Sequence, residues 1–347
     1  MKKPIAFLLA LTLLFSMLAF SGCSEEPKTL TLYTWAEMFP EEILSGFTEE
    51  TGIEINYVNF DTDEAMLAKL EAAEGGDYDL IIADDYIVET AIQEGLVQKL
   101  DKSKISTYEN LDERFLHEFY DPDGEYTVPY GAGIMEIAYY PDKVGFEITG
   151  YEDLWNSALE GRVGLIGNPR VINGMALKVQ GHSFNTTDEA EIRAAGDLLN
   201  ELAPNVRLIK DEFLNDDLTS GEVDVAFCYT SQGTIAKLTD PAVELVLPKE
   251  GLGYGVMPMF IPSKAPNADA ALKFIEYIND PQRAATCFEY LGYYCTNKAA
   301  VSLISADIAD MVTIPENIGD KEMIQNIPGE IYDVHEEIWN NFKSLCE

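Results

Sequence analysis

Two short stretches combine residues able to hold a charged guest. Trp35 and Glu37 stand two apart in "TLTLYTWAEMFPEEI", and Asp84, Asp85 and Tyr86 are consecutive in "YDLIIADDYIVET". Each offers a ring face beside a carboxylate. A cation over an aromatic face gains about 0.5–2 kcal/mol. A charge taken out of water without a partner costs several kcal/mol, so rings alone would not suffice. Together the two residue types suit an organic cation, with ring edges against its methylene groups. Tyr229 closing "VDVAFCY", Tyr254 in "GLGYGV" and Tyr293 in "EYLGYYCTN" add further rings. Asp84 and Asp85 are adjacent, so in extended chain they point to opposite faces, a poor geometry for an acid–base pair.

Catalytic patterns are missing from the same sequence. His117, His182 and His335 have no metal-ligand spacing with another His or a Cys. There is no G-x-S-x-G and no P-loop. We therefore expect a binding protein rather than an enzyme, with no metal or other cofactor. Acidic residues number 61 against 23 basic ones, a net charge of −38. That balance argues against nucleic acid, whose phosphates need clustered Lys and Arg, and against adsorption to anionic lipid. It is compatible with a cationic ligand, and equally with a solvated acidic surface. The 347 residues, 47% hydrophobic, suffice for two ordinary cores.

The N-terminus reads as a processing signal. Lys2 and Lys3 precede an apolar run from Ile5 to Phe20 and small residues before Cys23. This is a signal-peptide layout, and the run is short for a membrane span. "FSGC" resembles the lipobox of bacterial lipoproteins, with Phe20 in place of the more usual Leu. It implies removal of residues 1–22, lipidation of Cys23 and a tether over 23–28. Two or more acyl chains anchor stably, so an extracytoplasmic, lipid-anchored protein is expected. Four other cysteines remain, Cys228, Cys287, Cys295 and Cys346, with three possible pairings; Cys228, in an apolar run, is expected as a buried thiol.

Strands and helices then alternate. "TLTLYTW", "IEINYVNF" and "DYDLIIA" read as strands around helices begun at Pro40 and at "DTDEAMLAKL". "RVGLIG", "VDVAFCY", "AVELVLPKEG" and "YGVMPMFIP" continue the pattern, with helices at "INGMALKVQG", "DEAEIRAAGDLLNELA" and "NADAALKFIEYIND". This grammar predicts an α/β protein with mostly parallel sheet flanked by helices. The Gly-bearing extended runs at 127–140 and 253–262 suit two stiff crossings between lobes, as in a hinge. The expected division is 29–133 with 256–302 for one lobe and 134–255 with 303–347 for the other. In open parallel sheets ligands sit beyond the carboxyl ends of strands, which is where Trp35, Glu37, Asp84, Tyr86 and Tyr229 fall.

At this level the chain resembles the spermidine/putrescine-binding proteins of bacterial ABC importers. The matching stretches include "LYTWAEMFPEEILSGFTEETGIEINYVNFDTDEAMLAKL", "YDLIIADDYIVETAIQEGLVQKLDKSKI", "VPYGAGIMEIAYY", "NPRVINGMALKV", "VLPKEGLGYGV" and "GYYCTNKAAVSLIS". The resemblance implies a two-lobed periplasmic-binding-protein fold that closes on its ligand. It also implies delivery of that ligand to a permease and an ATPase; the protein is expected to be a monomer. Trp35, Glu37, Asp84, Tyr86, Tyr229, Tyr293 and Gln325 match the family's ligand contacts, Asp84 replacing a more usual Ser and Tyr229 a Trp. Asn168, Val171 and Met257 fall where the family places amine-binding carboxylates, and Gly255 lacks an aromatic found there. Two readings of the ligand stay open. Asp84 and Asp85 supply the lost charge and a polyamine still binds, or the ligand is a smaller cation or a zwitterion such as an amino-acid derivative. A lipid-tethered sensor with the same fold is a further alternative.

Overall fold

A computed structural model describes residues 29–210, 212–314 and 321–346; the leader, the tether and Cys23 lie outside the described residues. The chain opens with three parallel strands and two crossover helices. β1 (Thr29–Thr34) pairs with β2 (Glu54–Asn59) on one side and β3 (Leu80–Ile82) on the other. Between them, α1 (Glu41–Thr51) starts after Pro40 and stops at Gly52, which takes the left-handed conformation, φ 70°. Glycine is the residue that adopts that cap without strain. α2 (Asp63–Ala72) is capped by the Thr62 side chain, which accepts the Ala65 amide. α3 (Asp85–Gln93) follows β3 directly.

β4 (Thr127–Tyr139) is the long crossing. Its first half pairs antiparallel with β9 (Leu252–Phe260), and its last five residues pair with β7 (Val225–Tyr229). Beyond it come α4 (Pro141–Val144), β5 (Val163–Leu165), α5 (Pro169–Val179), α6 (Glu189–Leu202), β6 (Val206–Ile209) and α7 (Leu214–Ser220). α8 (Thr230–Thr239) and β8 (Glu244–Val246) lead into β9, the return crossing. The main sheet path runs β2-β1-β3-β9-β4-β7-β5-β6. It is parallel at both ends and antiparallel where β9 and β4 join its halves. The result is the two-lobed α/β architecture expected.

The last third closes both halves. α9 (Ala268–Ile278) and α10 (Pro281–Leu291) pack against the β1–β3 region. β10 (Tyr294–Cys295) adds to β4, and α11 (Ala306–Val312) joins a small apolar cluster with α10. β11 (Lys321–Met323) pairs with the start of β9, and α12 (Gly329–Cys346) buries Val334, Ile338, Trp339 and Phe342 in the core built by β5, β7, α5 and α6. Cys228, Cys287 and Cys295 are buried free thiols and Cys346 is a partly buried one. Among the described residues, no helix is long and apolar enough to cross a membrane.

Candidate ligand cleft

Strand register brings Trp35, Asp84, Tyr229 and Tyr293 towards one edge. Extending the Tyr33–Ile81 pair of β1 and β3 by two positions sets Trp35 beside Ala83, next to Asp84. The Ile82–Met259 pair, continued antiparallel, sets Asp84 opposite Met257, which pairs with Gly131 of β4. Tyr294 of β10 pairs with Ala132, so Tyr293 faces Gly133; Tyr229 of β7 pairs with Met135. Gly133, Met135, Tyr293 and Tyr229 therefore occupy one face at the crossing.

Trp35 and Glu37 sit on a clamped turn. The Tyr57 hydroxyl donates to the Trp35 carbonyl at 2.7 Å and accepts the Met38 amide at 3.2 Å; Tyr130 donates to the Met38 carbonyl at 2.8 Å. The Trp35 ring lies 5.0 Å from that of Phe60. Glu37 adopts φ 59°, a left-handed conformation disfavoured for a residue with a Cβ. Its side chain is exposed. A non-glycine held there by surrounding bonds is the kind of local strain that recurs at ligand sites.

Asp84 and Asp85 diverge, as their adjacency required. Asp85 is buried and structural in its contacts: its carboxylate accepts the Tyr86 amide at 2.7 Å and the Val256 amide at 2.9 Å, bracing α3 against β9. Burial pushes its carboxyl up to about 7, against the pull of those two amides. Asp84, the residue before α3, does not cap that helix with its side chain. Its backbone amide instead donates to Asp63 Oδ1 at 3.1 Å, which ties the start of α2 to the end of β3. Both carboxyls are raised, first by burial and then by neighbouring negative charge. Tyr86 donates to Glu64 at 3.0 Å, and burial with the surrounding acids raises its hydroxyl. Asp63, Glu64, Asp84 and Asp85 form no ion pair with a Lys, Arg or His among the described residues.

Tyr293 and Tyr229, both partly buried, stand on the other side of the crossing. Tyr293 lies beside Ser231 in the first turn of α8, and burial, with the nearby Asp84 adding to it, raises its hydroxyl. A Cβ at Gly133 would come within 3.2 Å of its ring, so glycine there makes room for the aromatic.

The remaining expected residues are placed differently. Asn168 spends its side chain capping α5, accepting the Arg170 and Val171 amides at 3.0 and 3.1 Å. Val171 is buried in the core. Met257 is buried too, its Cε filling the notch at Gly131. Tyr254 belongs to another layer of β9 and donates to Glu118 at 3.1 Å. The Gln325 side chain is exposed, while its amide donates to Asn185 and its carbonyl accepts from Arg170.

Four residues that the sequence reading passed over touch the site. Asp63 and Glu64 were visible only as an acidic helix start, Ser231 only as a helix start, and Asn326 had no pattern. Among the described residues, no cluster of His, Cys, Asp and Glu could hold a metal ion.

The model of the family described as bacterial extracellular solute-binding protein matches residues 42–316. The chain is 34% identical over 325 residues to the spermidine/putrescine-binding periplasmic protein of Escherichia coli (strain K12), covering 92% of this chain and 93% of that one. A solved structure named as a putative spermidine/putrescine ABC transporter from Listeria monocytogenes superposes with a TM-score of 0.82 at 30% identity, over 91% of this chain and 99% of the other. The spermidine/putrescine substrate-binding protein of Streptococcus pneumoniae superposes at 0.84 with 26% identity, over 92% and 100%. With its architecture, its register at the crossing and these likenesses in agreement, the chain belongs to the bacterial extracellular solute-binding proteins.

Proposed function

We propose that the protein is the extracytoplasmic substrate-binding component of an ABC importer. It captures a polyamine of the putrescine or spermidine class between its lobes and delivers it to a permease and ATPase pair. One observation carries this reading: Asp63, Glu64, Asp84 and Asp85 gather at the end of β3, beside Tyr86 and Tyr293, with no cation to balance them among the described residues. An ammonium supplies that missing charge. Trp35 and Tyr229 supply ring faces for the methylene chain, and Glu37 a further carboxylate. The protein binds without turning its ligand over. It acts as a monomer, tethered through lipid on Cys23. Its lobes divide at the β4 and β9 crossings, and a ligand that binds the closed arrangement better shifts the molecule towards it.

A second reading rests on the other lobe. Asn168 is spent on a helix cap, Val171 is core, and the nearby Arg170 is buried, its guanidinium lowered to about 10 by desolvation. A long polyamine meets no carboxylate at Asn168 or Val171, so a short diamine or an amine with an uncharged or acidic far end fits those two positions better. A thermal-shift and calorimetric screen of the protein lacking residues 1–23 separates the readings. Putrescine, cadaverine, spermidine, spermine and γ-amino acids form the panel. Stabilisation by the amines supports capture of a cation, and their order by length and terminal charge ranks the two. No response to any amine overturns both.

A further inference from the structure

Arg170, the second residue of α5, is 9% exposed, and among the described residues no carboxylate pairs with it. Its guanidinium donates only to uncharged oxygens: the Phe184 carbonyl at 3.1 Å, the Gln325 carbonyl at 3.2 Å and the Asn185 side chain at 3.5 Å. Part of its donor set stays unused, and its Nε is buried without a partner. Lys178, the other buried base of α5, meets the Glu322 carboxylate. A charge taken out of water without such a partner costs several kcal/mol. Nothing beneath Arg170 makes up the difference. One turn on, Asn173 donates to Nδ1 and to the carbonyl of His335 on α12 at 3.0 and 3.1 Å. Burial, with Arg170 adding to it, lowers that imidazole to about 4, so this layer is neutral at neutral pH. Above Arg170 lies the strap. The residue after Gln325 is Asn326, whose side chain donates to the Tyr86 carbonyl on α3. The exposed Tyr332 of α12 is near enough to feel both Arg170 and Glu64 of the acidic group.

We propose that Arg170 is the receptor for a carboxylate at the far end of the ligand, which makes the guest a short ω-amino acid held between the acids at the end of β3 and this guanidinium. This rests on the amine-binding reading above and selects the acidic far end from its second form. The carboxylate supplies the counter-charge that Arg170 lacks, through charge-assisted bonds stronger than those to neutral carbonyls. The N-terminal end of α5 adds a partial positive charge of the same sense. A diamine of equal length would set an ammonium against the guanidinium, and such like-charge contacts are unfavourable. Arg170 is thereby a specificity-determining residue: the ammonium secures binding, and the opposite end decides between amino acid and diamine.

The test is calorimetric titration of matched pairs into the wild-type protein: 4-aminobutanoate against putrescine, and 5-aminopentanoate against cadaverine. Within each pair only the far end differs. We expect the amino acid of at least one pair to bind at least tenfold more tightly than its diamine. Arg170→Gln removes the charge and is expected to weaken the amino acids at least tenfold while strengthening the diamines, a reversal that loss of packing alone would not produce. Asn168→Asp serves should that variant not fold. Asp caps a helix as well as Asn does, and it sets a carboxylate at the start of α5, so the same shift in preference is expected. Binding of the diamines by the wild type with no binding of the amino acids overturns the carboxylate receptor and leaves amine capture standing. Equal weakening of both ligand types in a folded variant overturns it as well. Failure of every amine and amino acid to bind overturns the amine reading and this inference with it.

Discussion

The side-chain amide of Asn326 donates to the backbone carbonyl of Tyr86 at 2.7 Å, and to the Glu89 carboxylate at 2.9 Å. Asn326 follows β11 on the strap that leads to α12, whereas Tyr86 and Glu89 lie on α3 beside the acidic group. Around the same strap, Asn185 holds the Gln325 amide and the Met323 carbonyl. The strap therefore joins the region around α5 to the helix that carries Tyr86. Asn326→Ala removes two hydrogen bonds, one of them to a charged acceptor, worth about 1–3 kcal/mol together. We expect the variant to open more readily, with faster ligand release at nearly unchanged association. Stopped-flow dissociation and small-angle scattering read both effects.

Trp35 and Glu37 share the clamped turn, so each tests the first-lobe contacts separately. Trp35→Ala and Glu37→Gln are each expected to weaken putrescine binding tenfold or more, about 1.4 kcal/mol. Glu37→Gly relieves the left-handed backbone while removing the carboxylate; it is expected to gain thermal stability and lose affinity together. Calorimetry on all three would remove these residues from the site if affinity stayed unchanged.

Gly133 leaves room for the Tyr293 ring. A valine there meets the ring directly, so Gly133→Val is expected to swing Tyr293 away from Ser231 and cut affinity at least tenfold. Tyr293→Phe, which loses only the hydroxyl, is expected to lose less. Equal losses in the two variants would mean that the hydroxyl, and not the ring, is what the ligand uses.

Glu136 is buried on β4 behind this face, with one oxygen lacking a partner. Desolvation alone pushes its carboxyl up to about 8 from an ordinary 4.5. The unfolded chain gives up this proton first. The stability contributed by the neutral form is complete below about 4.5 and is lost as pH rises through about 8. Glu136→Gln removes the penalty, on the order of a few kcal/mol at full effect. The melting temperature of the variant should exceed that of the wild type at pH 9, and the gap should close by pH 5.

The cleft was legible where chemistry coincides with the ends of strands. Trp35 and Asp84 close strands with clear apolar runs, and parallel-sheet topology sends both to one edge. The helix start at Asp63 carries the same acids that favour any helix N-terminus, so nothing separated its buried carboxyl from ordinary dipole compensation. Asn168 precedes a proline at a helix start, which is capping chemistry; the family resemblance drew it towards the ligand instead. Met257 and Tyr254 lie three apart on β9 and so face opposite layers, and a run that is apolar throughout does not show which layer meets the cleft. β10 and β11 are two and three residues long, too short for any periodicity, although they position Tyr293 and the strap.

Trp339 and Phe342 of α12 complete the core begun by β5 and β7, while α9 and α10 complete the one begun by β1. Each apolar interior thus waits for residues far downstream of the strands it encloses. The half built on β5 and β7 therefore cannot close until α12 arrives, and the half built on β1 cannot close before α9 and α10.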